Sequence, residues 1–174
     1  MRVPISVTLT GALTGAMASS ALAADVKLSI EIPRLSVAEY HRPYVAMWLE
    51  GADQSFVGNL AVWYDLKQKN NEGTKWLKDL RQWWRKSGRE LTMPVDGLST
   101  ATRPPGTHQI NIPLDRAPFA GLAAGEYQVV VEAAREVGGR EILRIPFKWP
   151  LKSAEVLKVQ GQNELGTVAV DLKP

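Results

Sequence analysis

The sequence predicts a mainly β protein: an immunoglobulin-like antiparallel β-sandwich with one amphipathic helix inserted at about residues 74–87. Apolar and polar residues alternate in several separate stretches, the period of half-buried strands. Gly, Pro and Asp clusters divide those stretches at the spacing of a sandwich. A single stretch changes to helical spacing.

Each element has its own signal. In 25–32, Val26, Leu28, Ile30 and Ile32 alternate with Lys27, Ser29 and Glu31, and Pro33 ends the strand. Pro43 opens a second strand over 44–50, and Gly51-Ala52-Asp53 stops it. A third covers 56–64, with Val57, Asn59, Ala61 and Trp63 expected on one face. The short polar connection between these two predicts a hairpin. Over 74–87, Trp76, Leu80, Trp83 and Trp84 fall at i, i+4, i+7 and i+8, with Thr74 as N-cap and Gly88 as the stop. Strands follow at 107–113, at 125–136 with Tyr127, Val129, Val131 and Ala133 on one face, at 140–149 after the Gly138-Gly139 turn, and at 165–172. Pro146 marks the 140–149 strand as an edge or a bulge. Glu132, Arg135, Glu136, Arg140 and Glu141 read as cross-strand ion pairs on a solvated face.

Composition narrows the function. Met1-Arg2, an apolar run without acids, and Ala21-Leu22-Ala23 together read as an export signal cleaved near Ala23, so residues 1–23 are expected to be removed and 24–174 to form one domain. An exported location follows, with no transmembrane segment expected in the mature chain. The chain carries 21 Lys and Arg against 18 Asp and Glu, a net charge of +3. Residues 1–23 hold Arg2 and no acid, which leaves +2 for the mature protein. A charge so small is no argument for nucleic acid or for an acidic membrane. There is no cysteine, which excludes disulfides, thiolate chemistry, iron–sulfur clusters and thioether-bound haem. The two histidines, His41 and His108, make a dedicated metal site a poor prospect unless carboxylates help.

The stretch from Asp96 to Gly106, DGLSTATRPPG, is the most specific in the chain. Asp96-Gly97 is a turn pair. Ser99, Thr100 and Thr102 offer hydroxyls, and Pro104-Pro105-Gly106 stiffens and turns the exit. An Arg beside a hydroxyl, as in Thr102-Arg103, suits a phosphate held at that point. His108 lies two residues beyond Gly106. Six tryptophans are many for one small domain. Packing accounts for most of them, while one of Trp83 or Trp84 is a candidate to flank a ring or a partner.

Asp96, Ser99, Ala101 and Thr102 resemble the acceptor pattern at which an FMN transferase esterifies flavin phosphate onto a hydroxyl of exported redox proteins, Asp-x-x-Ser/Thr-Gly-Ala-Thr/Ser. Thr100 stands where that pattern has Gly. The resemblance implies covalent FMN on Thr102, with Arg103 at the phosphate, Asp96 and Ser99 in recognition, and His108 nearby. A wider resemblance rests on Tyr40–Trp48, Lys75-Trp76-Leu77 with Trp83-Trp84, the 96–106 stretch, Gly125-Glu126-Tyr127 and Glu132–Glu136. These look like a family of predicted periplasmic bacterial proteins of unknown function, some described as FlgD-like. That resemblance implies a periplasmic sandwich working beside FMN transferases and PepSY-type membrane reductases. The expected function is electron transfer by a flavoprotein rather than stand-alone catalysis, with no catalytic residues assigned. The alternative is a non-enzymatic binding or assembly module using the Trp-rich helix and the 96–106 loop. A weaker third reading is metal or haem handling through His41 and His108.

Overall fold

The computed structural model describes residues 25–174. The expected export signal therefore lies outside the described residues. Nine strands form two sheets. They are β1 (Asp25–Ile32), β2 (Tyr44–Gly51), β3 (Phe56–Tyr64), β4 (Ser99–Ala101), β5 (Gly106–Pro113), β6 (Gly125–Ala134), β7 (Arg140–Trp149), β8 (Glu155–Gln160) and β9 (Thr167–Leu172). One sheet has the order β5-β1-β9-β8 and the other β4-β3-β2-β6-β7. The architecture is the β-sandwich that the alternating pattern predicts.

The main core lies between the sheets. Val26, Leu28, Ile30 and Ile32 of β1 face Val45, Met47 and Leu49 of β2 and Val129, Val131 and Ala133 of β6 across it. β7 is an edge strand, which is why Pro146 is tolerated: the missing N–H faces no partner strand. Two strands were not expected. β8 is an edge strand whose alternation is weak, with Val156 left 57% exposed. β4 occupies the middle of the presumed 96–106 loop, where Ser99, Thr100 and Ala101 pair in parallel with Val62, Trp63 and Tyr64. The edge of β3 needed backbone partners, and an extended run of small and β-branched residues supplies them.

β3 departs from simple alternation. The β2–β3 pairing slips between Met47 and Trp48, opposite Leu60. Asn59 therefore turns to the outer side of the sheet, away from Ala61 and Trp63, which stay in the main core. A bulge reverses the facing of the residues beyond it, here until a second slip between Leu49 and Glu50 returns Val57 to the main core.

Residues 65–98 cover the outer face of the five-stranded sheet. This insertion is not one helix over 74–87. It contains two 3₁₀ segments within Lys69–Asp79, separated by a kink where Asn70 and Asn71 take left-handed backbone (φ 54° and 57°), then a break at Leu80 (φ −74°, ψ 71°), then the short helix α1 (Arg81–Lys86). Thr74 is no N-cap; its hydroxyl donates to the Asn71 carbonyl at 2.8 Å. The break and the tighter 3₁₀ winding rotate Trp76 off the apolar stripe, leaving it 44% exposed, while Leu77, Leu80 and Trp83 are fully buried. Those three form a second core with Trp48, Val62, Tyr64, Leu98 and Val130. Trp83 is no candidate for an exposed ring. Its indole N–H donates to Asn59 Oδ1 at 2.7 Å, and its ring lies against Gly88, where a Cβ would come within 2.5 Å.

The face expected to be solvated is thus covered in part: Glu132 and the Arg135 side chain are buried, while Glu136 and Arg140 stay exposed. Glu132 on β6 is 0% exposed. Its carboxylate accepts the backbone N–H of Trp83 at 2.8 Å and of Gln82 at 3.1 Å, at the start of α1, and pairs with Arg140 at 2.8 Å. Glu50, equally buried, accepts the Trp48 indole N–H at 2.8 Å and pairs with Lys86 and Arg144 at 3.0 and 3.5 Å. Arg135 meets Glu164 through two guanidinium bonds, at 2.8 and 3.1 Å, with both side chains almost wholly buried.

Two outcomes follow. Glu132→Ala leaves two backbone donors and a guanidinium without their acceptor, and should lower the unfolding free energy by about 3–5 kcal/mol in urea denaturation. The second concerns Glu141, whose carboxylate accepts backbone N–H groups of Gln162, Asn163 and Leu165 at 2.7–2.9 Å. Burial pushes that carboxyl up, but these donors outweigh it and hold its pKa below the ordinary glutamate value. A depressed folded pKa gives stability that is present above the unfolded value, about 4.3, and lost as pH falls through the folded one. The 161–166 loop should loosen in that acid range by hydrogen exchange, and Glu141→Gln should remove this pH dependence.

Candidate functional site

A cleft of about 390 Å³ opens at one end of the five-stranded sheet. Strand direction and register bring its walls together. Tyr44 begins β2, Tyr64 ends β3, Ala101 ends β4 and Ala134 ends β6, and pairing places these four side by side. The chain leaving each strand end, or arriving at it, supplies a wall. Tyr40, His41 and Arg42 come from the approach to β2, Asp65 and Gln68 from the exit of β3, Thr102 from the exit of β4, and Glu136 from the exit of β6. The insertion contributes Trp76 and Asp79.

The wall is held firmly. The Tyr44 hydroxyl donates to the Gly73 carbonyl at 3.0 Å, and its ring packs edge-on to Tyr64. Burial pushes the Tyr44 phenol up to about 12, so it stays a neutral donor. Gly73 lies so close to β3's exit that a Cβ there would meet the Asp65 carbonyl oxygen at 2.0 Å. His41 is clasped between two carboxylates, with Nε2 at 2.7 Å from Glu39 and Nδ1 at 3.6 Å from Glu136. Arg42 brings a positive charge to the cleft, while Asp65, Asp79 and Glu136 bring negative ones. Trp76 and Tyr40 supply aromatic surface.

The residues singled out in 96–106 divide into three places. Thr102 lines the cleft, with its N–H bonded to the Tyr64 carbonyl at 3.2 Å. Ser99 and Asp96 shape the approach. The Ser99 hydroxyl accepts the Val95 N–H at 2.9 Å, closing a turn in which Gly97 takes φ +74°. Asp96 is exposed at that turn. Thr100 is extended and exposed, so its branched side chain meets no backbone conflict. Arg103 and His108 lie against Trp63 instead of lining the cleft. The Arg103 guanidinium sits 5.5 Å over the indole, and the His108 ring meets it edge-on at 5.9 Å. His108 Nε2 is 2.7 Å from the Pro104 carbonyl oxygen. Extended backbone explains the division, because neighbouring side chains such as Thr102 and Arg103 point opposite ways.

His41 and His108 thus have different neighbours, and among the described residues no group of three His, Asp or Glu side chains is placed to hold a metal ion. Sequence reasoning passed over Tyr40, Arg42, Asp65 and Trp76 as cleft residues. Only Trp76 carried a signal, as one of six tryptophans, and it read as part of a buried stripe. No helix among the described residues is long and apolar enough to cross a membrane.

No curated protein and no solved structure matches the chain. The family model described as "Predicted periplasmic protein (DUF2271)" matches residues 25–167, nearly the whole sandwich. The chain belongs to this family of predicted periplasmic proteins, whose function is unknown.

Proposed function

We propose that this protein is a periplasmic electron carrier that holds FMN through an ester to the Thr102 hydroxyl. The observation that carries the reading is the position of Thr102 on the wall of the cleft, at the end of a strand that fixes its backbone. The cleft lies within the size range of small-molecule sites. Arg42, Trp76 and Tyr40 suit a phosphate-linked aromatic group, while Asp65, Asp79 and Glu136 oppose its negative charge. Arg42 is the cation that lines the cleft and pairs with the phosphate. Trp76 and Tyr40 offer faces to the ring. Arg103 acts indirectly, stiffening the Thr102 backbone through its stack on Trp63. His41, held by Glu39 and Glu136, places a proton donor or acceptor beside the ring.

FMN would supply one- and two-electron chemistry, and the protein would supply attachment, orientation and charge. The attaching enzyme is an FMN transferase, which moves the FMN unit from a flavin dinucleotide to the Thr102 oxygen. The pyrophosphate bond breaks, the nucleoside monophosphate leaves and the hydroxyl loses its proton. The electron source is a membrane-bound reductase of the PepSY type. The exposed β4 supports access by the transferase, since Thr100 and Ala101 both face solvent.

Co-expression of the exported chain with a periplasmic FMN transferase should add one FMN by intact mass, and Thr102→Ala should abolish the addition. An unmodified wild-type chain, or an adduct that survives Thr102→Ala, removes the reading. With FMN attached, Trp76→Ala should raise flavin fluorescence by removing a stacked indole, and Trp84→Ala should leave it unchanged.

A further inference from the structure

The small net charge hides a strong segregation. Between Lys67 and Glu90 stand eight Lys and Arg, against Glu72, Asp79 and Glu90. Lys78, Arg81, Arg85 and Arg140 surround Trp84 in a shallow hollow whose lining contains no carboxylate. All four are exposed. Among the described residues, Arg140 is paired, with the buried Glu132, while Lys78, Arg81 and Arg85 form no ion pair.

Beside this basic face the surface turns apolar. The β6–β7 turn carries Val137 at its tip, 75% exposed, with φ +52°. A β-branched side chain rarely takes that left-handed backbone, and an exposed valine gains nothing from water there. Val137 shares a second hollow with Trp76, Arg81 and Arg140, whose lining also carries the carboxylates of Asp79 and Glu136. Trp76 stands between this hollow and the Thr102 cleft and lines both. Two of the large exposed apolar side chains of the described residues thus sit together, next to unpaired cations.

We propose that this face, with Val137 and Trp76 at its tip and Lys78, Arg81, Arg85 and Arg140 beside them, docks on a membrane surface rich in anionic phospholipid. Charge complementarity names the occupant. Unpaired Lys and Arg attract an anionic leaflet, and their aliphatic stems let the charge stay at the headgroups. Trp is suited to the headgroup level, and a protruding Val to the acyl boundary beneath it. An acidic protein partner would favour a contiguous apolar centre with the cations at its rim. Here the apolar surface is two side chains at a tip. Membership of a periplasmic family places the chain within reach of a bilayer. The inference does not depend on flavin attachment.

The test is sedimentation of the purified mature chain with vesicles of about 30% phosphatidylglycerol in phosphatidylcholine, against phosphatidylcholine alone. Binding to the anionic vesicles only, released by about 0.5 M salt, is expected. Each basic side chain at an anionic surface strengthens binding about fivefold, so Arg81→Glu with Arg85→Glu should weaken it by more than about 25-fold. Val137→Ser should weaken it several-fold at unchanged melting temperature. Lys158→Glu, on the exposed β8 of the other sheet, should change little. Absence of vesicle binding at low salt would overturn the proposal. So would binding that the Arg81/Arg85 and Val137 substitutions leave intact, or binding to polyglutamate with none to vesicles.

Discussion

A single buried carboxylate ties the two halves of this molecule together. Glu132 stands near the end of β6 on its outer face, at 0% exposure, and its oxygens take the N–H groups of Gln82 and Trp83 in the first turn of α1. A six-residue helix has little stability of its own. Two charge-assisted bonds to its start, and the burial of Trp83 and Leu80 beneath it, hold it on the sheet. A carboxylate removed from water is costly unless it is fully satisfied, so the helix and Arg140 need Glu132 as much as Glu132 needs them. Glu50 repeats the device nearby, with Trp48, Gln128, Lys86 and Arg144 as its partners.

What that clamp positions is the insertion, and the insertion makes the site. Trp76 and Asp79 lie one turn before α1 and form one wall of the Thr102 cleft. On the far side of Trp76, the same segment presents Lys78, Arg81 and Arg85 to solvent. A cofactor in the cleft and a charged surface beside it would share one indole between them. The remaining walls come from strand ends, where side chains are fixed by sheet pairing and the backbone is free to turn. A site built in this way is held on three sides by paired backbone.

The strands inside the sandwich were legible from alternation because each buries one face against the opposite sheet. Val26 to Ile32 and Val129 to Ala133 obey that rule without exception. The signal failed where burial came from elsewhere. Glu132 looks solvated in sequence because the insertion that covers it is nearly fifty residues away along the chain. Asn59 looks inward because no local residue announces the bulge at Leu60. β4 was hidden because a three-residue parallel strand has no period to read, and its partner β3 is distant. Trp76 fitted a helical stripe, but the 3₁₀ winding and the break at Leu80 put it on the surface.

By itself, the sequence determined the sandwich and most of its strands, and it limited β7 to an edge or a bulge; Thr102 it offered only as a proposal. Those follow from local facts: period, turn residues and a short motif. Only the tertiary structure decided which side chains share the cleft with Thr102, and that Arg103 and His108 pack on Trp63. It alone decided that Arg140 joins Lys78, Arg81 and Arg85 around one hollow. Such decisions depend on which distant backbones are brought within a few ångströms, and sheet register and the path of the insertion set that.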